Sequence, residues 1–158
     1  MEIKSRYHLR SDAIGELRES LAEQLGIDLD GDRFESVETV EGGDVVLVDG
    51  EPLVAEFDGE AFLTVAGANA YPPERRVVTV DAGAIEFVSN GADIMRPGIV
   101  AADEEIATGD LVVVAEQTHG KALAVGRALV NGPELTGEEG RVVESLHHVG
   151  DELFEFSA

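Results

Sequence analysis

Residues 80–99 read VDAGAIEFVSNGADIMRPGI, a segment of small residues that is poor in acid and ends on Arg96-Pro97-Gly98. Gly83 and Ala84 fall in the first turn of a short predicted helix and offer no bulk; Gly91 and Ala92 follow it. A neighbouring backbone can approach such a turn closely, and the free N–H groups of its first residues can receive an anion. Arg96 adds a planar guanidinium that is always charged, and Pro97-Gly98 re-aims the chain beside it. Together these residues have the chemistry of a small electropositive ledge with a smooth floor. They equally suit tight packing of a helix on a sheet, with Arg96 paired to Asp93 or to a surface Glu. Lys121 opens a later strand and could reach a phosphate.

A second group is Arg6, Tyr7, His8 and Arg10, where three groups that can be cationic flank an aromatic ring able to stack on a base. Strand alternation puts Arg6, His8 and Arg10 on one face and Tyr7 and Leu9 on the other. A ligand contact and a solvated face that neutralises nearby carboxylates fit this pattern equally. Arg75-Arg76 falls in a connector, where it could touch a phosphate or, by pairing with carboxylates, fix the angle between two domains; abundant acid favours the second.

Other chemistry is thinly represented. There is no cysteine, so disulfides, thiolate metal sites and cysteine nucleophiles are excluded. His147 and His148 are adjacent on a predicted strand and point to opposite faces, so one metal ion cannot readily use both. His8 and His119 stand alone in sequence. No Gly-x-Ser-x-Gly elbow and no GxxxxGK[ST] loop is present. The expectation is a protein without catalytic residues, cofactor or designed metal site.

The elements that must position these residues fall into two groups. A strand at 3–10 precedes a helix capped by Ser11 or Asp12, with Ile14, Leu17, Leu21 and Leu25 on one face and Gly26 as its stop. Strands follow at 34–41, 44–48 and 52–57, the last two joined by an Asp49-Gly50 hairpin turn, with a further short strand at 61–66. Tyr71-Pro72-Pro73 stiffens the chain and marks a boundary. Beyond it come a strand at 77–81, a helix at 82–89 capped by Asp81 and closed by Asn90-Gly91, and an irregular strand from Ile94 to Ala101. Strands at 110–117 and 121–129 flank a Thr118-His119-Gly120 turn, Pro133 starts a helical turn, and strands at 141–148 and 152–156 close the chain. The expected fold is an α+β domain over 1–73 followed by a mainly-β, barrel-like domain over 74–158.

Charge sets the conditions. There are 33 acidic residues against 11 basic ones, and the net charge is −22. At ordinary salt this opposes nucleic acid, because phosphate binding rests on Lys and Arg. An apolar fraction of 44% and regular strand patterns oppose a disordered acidic chain. In molar salt the Debye length shrinks to roughly 3 Å and an acidic surface stays hydrated without self-repulsion. Acids scattered over every segment, with only Lys4 and Lys121 as lysines, fit a folded protein of a high-salt cytoplasm. No secretion signal and no apolar run of spanning length is seen.

The segments VDAGAIEFVSNGADIMRPGI and GDLVVVAEQTHGKALAVGRAL resemble the PUA domain, an RNA-binding pseudo-barrel of pseudouridine synthases and archaeosine transglycosylases. SRYHLR, the amphipathic helix and the small α+β unit after it resemble the N-terminal part of the malignant T-cell-amplified protein and ligatin family. Its members join a pre-PUA domain to a C-terminal PUA domain and act on the small ribosomal subunit with density-regulated protein. The resemblance spans nearly the whole chain. It implies a non-catalytic RNA-binding protein of translation in a halophilic archaeon, docking on the small ribosomal subunit or initiator tRNA. The implied partners are rRNA or tRNA and a translation partner like density-regulated protein, with no membrane. RNA would lie along Gly83, Ala84, Gly91, Ala92, Arg96, Pro97 and Gly98, with Lys121 on a phosphate and Arg6, His8 and Arg10 as a second contact. Glu86 and Asp93 lie in the same segment, so binding would lean on shape, backbone N–H groups and stacking, which salt weakens less than ion pairs. Two other readings stay open: an RNA-binding accessory to a tRNA-modification enzyme of the archaeosine or pseudouridine pathway, and a protein-interaction adaptor with a degenerate PUA site.

Overall fold

The computed structural model describes residues 1–156. The first sheet is antiparallel, with strands in sequence order: β1 (Ile3–His8), β2 (Phe34–Thr39), β3 (Asp44–Val48), β4 (Glu51–Phe57) and β5 (Glu60–Leu63). Between β1 and β2 lies α1 (Ser11–Leu25), whose Leu21 and Leu25 are fully buried and which stops at Gly26 with φ 69°. The predicted cap is corrected: Arg10 is the N-cap and makes no side-chain bond there. Asp49 and Gly50 both take positive φ, 52° and 88°, the geometry that matches the twist of a two-residue hairpin. The Asp49 carboxylate also accepts N–H bonds from Asp32 and Arg33, which ties the loop entering β2 to the turn.

The strand expected at 61–66 ends at Leu63. Thr64 instead caps a second helix, α2 (Val65–Ala70), its hydroxyl accepting from the Gly67 N–H at 3.0 Å. Gly67 lets α2 lie directly on β4, because a Cβ there would run into the Leu53 carbonyl.

The second sheet has six strands: β6 (Val77–Val80), β7 (Ile94–Met95), β8 (Ile99–Ala102), β9 (Leu111–Glu116), β10 (Ala122–Ala128) and β11 (Arg141–His148). Their spatial order is β7-β11-β10-β9-β6-β8, with β6 and β9 parallel and the other pairs antiparallel. The strand predicted from Ile94 to Ala101 is therefore two strands at opposite ends of this order. The turn Arg96–Gly98 carries the chain from one to the other and so brings the sheet round into a nearly closed barrel. The helix predicted at 82–89 divides into a 3-10 turn (Ala82–Ala84) and α3 (Ile85–Ser89). Residues 152–155 form turns where a strand over 152–156 is expected, because the Asp151 carboxylate accepts the N–H groups of His148 and Phe154 and winds the chain back. The molecule is thus an α+β sheet unit followed by a mainly-β barrel.

A continuous apolar core joins the two. Leu47 and Phe57 of the first sheet share it with Leu111, Val113 and Val125 of the barrel and with Phe156. His147, only 1% exposed, sits in this joint. Its Nε2 accepts the Val65 N–H at 3.0 Å, its Nδ1 bonds Asp151 at 2.9 Å, and its ring stacks on Phe57. Those two bonds fix the tautomer, with the proton on Nδ1. Asn69 of α2 pairs with both backbone groups of Ala122. Arg127 of β10 reaches Asp58 and Glu60. In the connector, Arg76 bonds Gln24 and approaches Asp110, while Arg75 bonds the Glu23 carbonyl. These contacts leave the two units little freedom to rotate against each other.

Candidate functional site

A cavity of about 370 Å³ opens between the 82–84 turn, α3, β7 and the 96–98 turn. Asp81 builds its entrance. The Asp81 carboxylate accepts from the Ala84 N–H at 3.1 Å, and the Asp81 N–H donates to the Gly98 carbonyl at 2.9 Å. The two turns are thereby tied together. Gly98 must be small, because a Cβ there would meet that of Ala84 at 3.0 Å. Gly83, Ala84, Ala92, Pro97 and Gly98 all line the cavity, backed by the buried Val88 and Ile94. Phe87, 66% exposed, and Met95, 49% exposed, stand on its rim.

The predicted cation is not in this cavity. The Arg96 guanidinium turns to the other side of its turn, where Nε donates to the Glu134 carbonyl at 2.8 Å and Nη1 to the Glu139 carbonyl at 2.9 Å. The Arg96 N–H bonds the Gly140 carbonyl, and Gly137 and Gly140 lie against the side chain. The expectation of an electropositive ledge is corrected accordingly: the guanidinium is spent on the Glu134 and Glu139 carbonyls of the 134–140 loop. Asp93, offered in sequence as its partner, is taken by the Ser145 N–H and by Arg141 at 2.9 Å. The Ser145 N–H and the Arg141 charge outweigh partial burial and hold the Asp93 carboxyl below its ordinary value. Among the described residues the lining carries two carboxylates, Asp81 and Asp93, and no Lys or Arg.

Gly91 lies outside the lining. Its φ of 91° ends α3, and its α-carbon faces the His148 ring. His148 bonds the Ser89 carbonyl, while His147 points into the core. Lys121 is exposed and has no ion-pair partner among the described residues. It leaves a turn built by Glu116, whose carboxylate accepts the N–H groups of Thr118, His119 and Lys121. Those N–H bonds, that of Lys121 foremost, overcome burial and hold the Glu116 carboxyl below its usual range. Glu116 pairs with Val80, so this turn sits beside the chain as it enters Asp81.

The second predicted group is dispersed. β1 ends at His8, so Arg10 does not share a strand face with Arg6 and His8. Arg6 is spent on Glu35 through two bonds, at 2.9 and 3.3 Å, and Arg33 pairs with the same carboxylate. His8 is exposed, and Arg10 stands mostly free, 3.5 Å from Asp12. Sequence reasoning passed over Phe87, Met95, Asp81 as a cavity residue, and Glu116. An acid directly before a polar Gly-containing turn was the available signal for Glu116; the exposure of Phe87 and Met95 had none. Among the described residues no cluster of three His, Asp or Glu could hold a metal ion, and no helix is long and apolar enough to cross a membrane.

Residues 76–150 match the PUA domain family. The chain is 34% identical over 160 residues to the uncharacterized protein MJ1432 of Methanocaldococcus jannaschii, with 99% of each covered. A conserved PUA domain protein from Thermoplasma acidophilum has a similar structure, with a TM-score of 0.84, 30% identity and coverage of 95% of this chain and 97% of that one. Translation machinery-associated protein 20 of Saccharomyces cerevisiae is 33% identical over 117 residues, 70% of this chain and 65% of the yeast protein. The malignant T-cell-amplified proteins lie at a comparable distance.

Proposed function

Because the chain belongs to the family of MJ1432 and the Thermoplasma PUA domain protein, we propose that it is a non-catalytic RNA-binding protein of translation, docking RNA in the cavity beside α3. The observation that carries this reading is an open apolar cavity with small residues on its floor and two large apolar side chains, Phe87 and Met95, exposed on its rim. A base or a chain end can lie on Gly83, Ala84, Ala92, Pro97 and Gly98 and stack on Phe87. Stacking contributes about 1–3 kcal/mol per base, and as an uncharged contact it releases no counterions. Lys121, beside the entry to Asp81 and without an ion pair among the described residues, is a cation able to meet a phosphate. Arg96 acts through the 134–140 loop, and Arg6, His8 and Arg10 form at most a second, peripheral contact. The translation role rests on the names of the distant relatives, translation machinery-associated protein 20 among them. The small ribosomal subunit or initiator tRNA is the RNA this reading favours, in the cytoplasm of a high-salt cell, with a density-regulated-protein-like partner on the α+β unit.

The test is binding of total tRNA and small-subunit RNA in molar KCl by wild type and Phe87→Ala. Loss of about tenfold or more in affinity, with the circular dichroism spectrum intact, is expected from one lost stacking contact. A plot of log affinity against log salt should be shallow, since few phosphates are neutralised. Unchanged binding by Phe87→Ala refutes the cavity as the site. Specific binding of tRNA without small subunits moves the protein to tRNA modification, and no RNA binding at any salt leaves an adaptor.

A further inference from the structure

β1 ends the first sheet on one side and, among the described residues, pairs with β2 alone. The Leu9 N–H donates to the Phe34 carbonyl at 3.0 Å. Alternation from there turns the peptide groups of Tyr7 toward β2 and those of Arg6 and His8 outward. All six residues of β1 are exposed. Such an edge is a template for a further strand, and proteins commonly blunt it with charge. On this chain a blunting charge would be the acid that covers the rest of the surface, and the edge carries the opposite sign. The Arg6 and Arg33 guanidiniums bond one and the same carboxylate, that of the buried Glu35, at 2.9 and 3.2 Å. His8 stands across from Glu35 in the strand pairing. Two permanent cations and a histidine thus meet a single acid, in a chain where 33 acidic residues face 11 basic ones. Arg127, by contrast, takes two acids for itself. The edge is also apolar: half of the exposed large apolar side chains among the described residues, Met1, Ile3, Tyr7 and Val40, lie on or beside β1.

We propose that the free edge of β1 receives an extended, acidic segment of a partner protein as a sixth strand of the first sheet. Its backbone pairs with the outward N–H and carbonyl groups of Arg6 and His8, the part of such contacts that gives affinity. Its carboxylates meet Arg6, Arg33 and His8, and its alternate apolar side chains lie over Tyr7, which faces the other side of the strand. A chain of net charge −22 repels an acidic partner over most of its surface, and two arginines on one carboxylate supply a place where a further carboxylate is attracted. A second copy of β1 does not fit, because antiparallel pairing about Arg6 would set Arg6 against Arg6. RNA would answer the charge but leave the outward peptide groups unpaired. The inference rests on the reading that the α+β unit carries the protein partner; it takes Arg6 and His8 for that partner and leaves RNA the cavity beside α3.

The probe is a short fluorescein-labelled peptide alternating threonine and glutamate around one central valine, titrated by anisotropy into the full chain in about 1 M KCl, where diffuse attraction is screened. A fully N-methylated version removes the peptide's donors, and a threonine–glutamine version removes its charge. The parent peptide should bind most tightly and should slow amide exchange at Arg6 and His8. Arg33→Gln should weaken it about tenfold, the effect of one charge-assisted bond, while RNA affinity stays constant. Arg6 still holds Glu35 in that variant, so its circular dichroism spectrum should match that of wild type. Phe87→Ala should show the reverse pattern, which separates failure of this inference from failure of the RNA reading. Absence of binding, equal binding of either control peptide, or unchanged exchange at Arg6 and His8 overturns the inference. So does an Arg33→Gln variant that loses RNA and keeps the peptide, which would give these cations to RNA. A wild-type dimer whose formation protects the same two amides would give the edge to a second copy of the chain.

Discussion

Asp151 should be the most expensive exposed-side carboxylate to neutralise, and Asp151→Asn tests why. Burial alone would raise its pKa, but the His147 ring and the N–H groups of His148 and Phe154 bring it down to about 2 from an ordinary 3.8. The carboxylate is only 22% exposed, so solvent screens it little. A carboxyl whose folded pKa is depressed contributes stability that is fully present above its unfolded pKa and is lost as pH falls through the folded value. Here that window runs from about 4 down to about 2, and the depression corresponds to about 2 kcal/mol. Asparagine keeps the size and one acceptor oxygen but not the charge. Urea unfolding, which adds no ions, should therefore find Asp151→Asn about 2 kcal/mol less stable at pH 7. The gap should shrink below pH 4 and close near pH 2. Since His147 links Asp151 to Val65, the variant should also speed amide exchange at Val65. Equal stability of the two proteins at pH 7, or a gap of the same size at pH 2, would refute the reasoning.

Two further outcomes follow from the same geometry. Arg96→Ala strips the donors from the Glu134 and Glu139 carbonyls; it should cost about 1–2 kcal/mol in urea unfolding and expose amides 134–140 to exchange, while leaving the cavity lining unchanged. Gly67→Ala drives a methyl group into the Leu53 carbonyl beneath α2; a loss of about 1–3 kcal/mol is expected on thermal or urea melting, against a gain of about 0.5–1 kcal/mol for the same change at Gly15, which lies within α1 with open space around it.

The sequence by itself determined most of the strands, the principal helix and the turn between β3 and β4. Short β-branched, apolar runs at 44–48 and 52–57, the Asp49-Gly50 turn and the Gly26 stop are local signals, decided by residue type and by which residues accept positive φ. Of the small residues singled out in sequence, Gly98 meets a close neighbour, a Cβ there falling 3.0 Å from that of Ala84, whereas a Cβ on Gly83 meets nothing nearer than 3.4 Å. Residues 65 and 66 read as a strand end and the helix over 65–70 went unread because alanine and glycine carry little periodicity; only the Thr64 cap and the fit of Gly67 on β4 make it a helix. Residues 152–156 alternate like a strand, yet Asp151 bends them into turns. The direction of charged side chains was decided by tertiary structure alone. Arg96 faces the 134–140 carbonyls and Arg6 faces Glu35, because a cation among many acids and unsatisfied carbonyls takes whichever partners the fold brings within 3 Å. Those partners lie 38 and 29 residues away in the chain, a distance at which residue type and spacing carry no information about who meets whom.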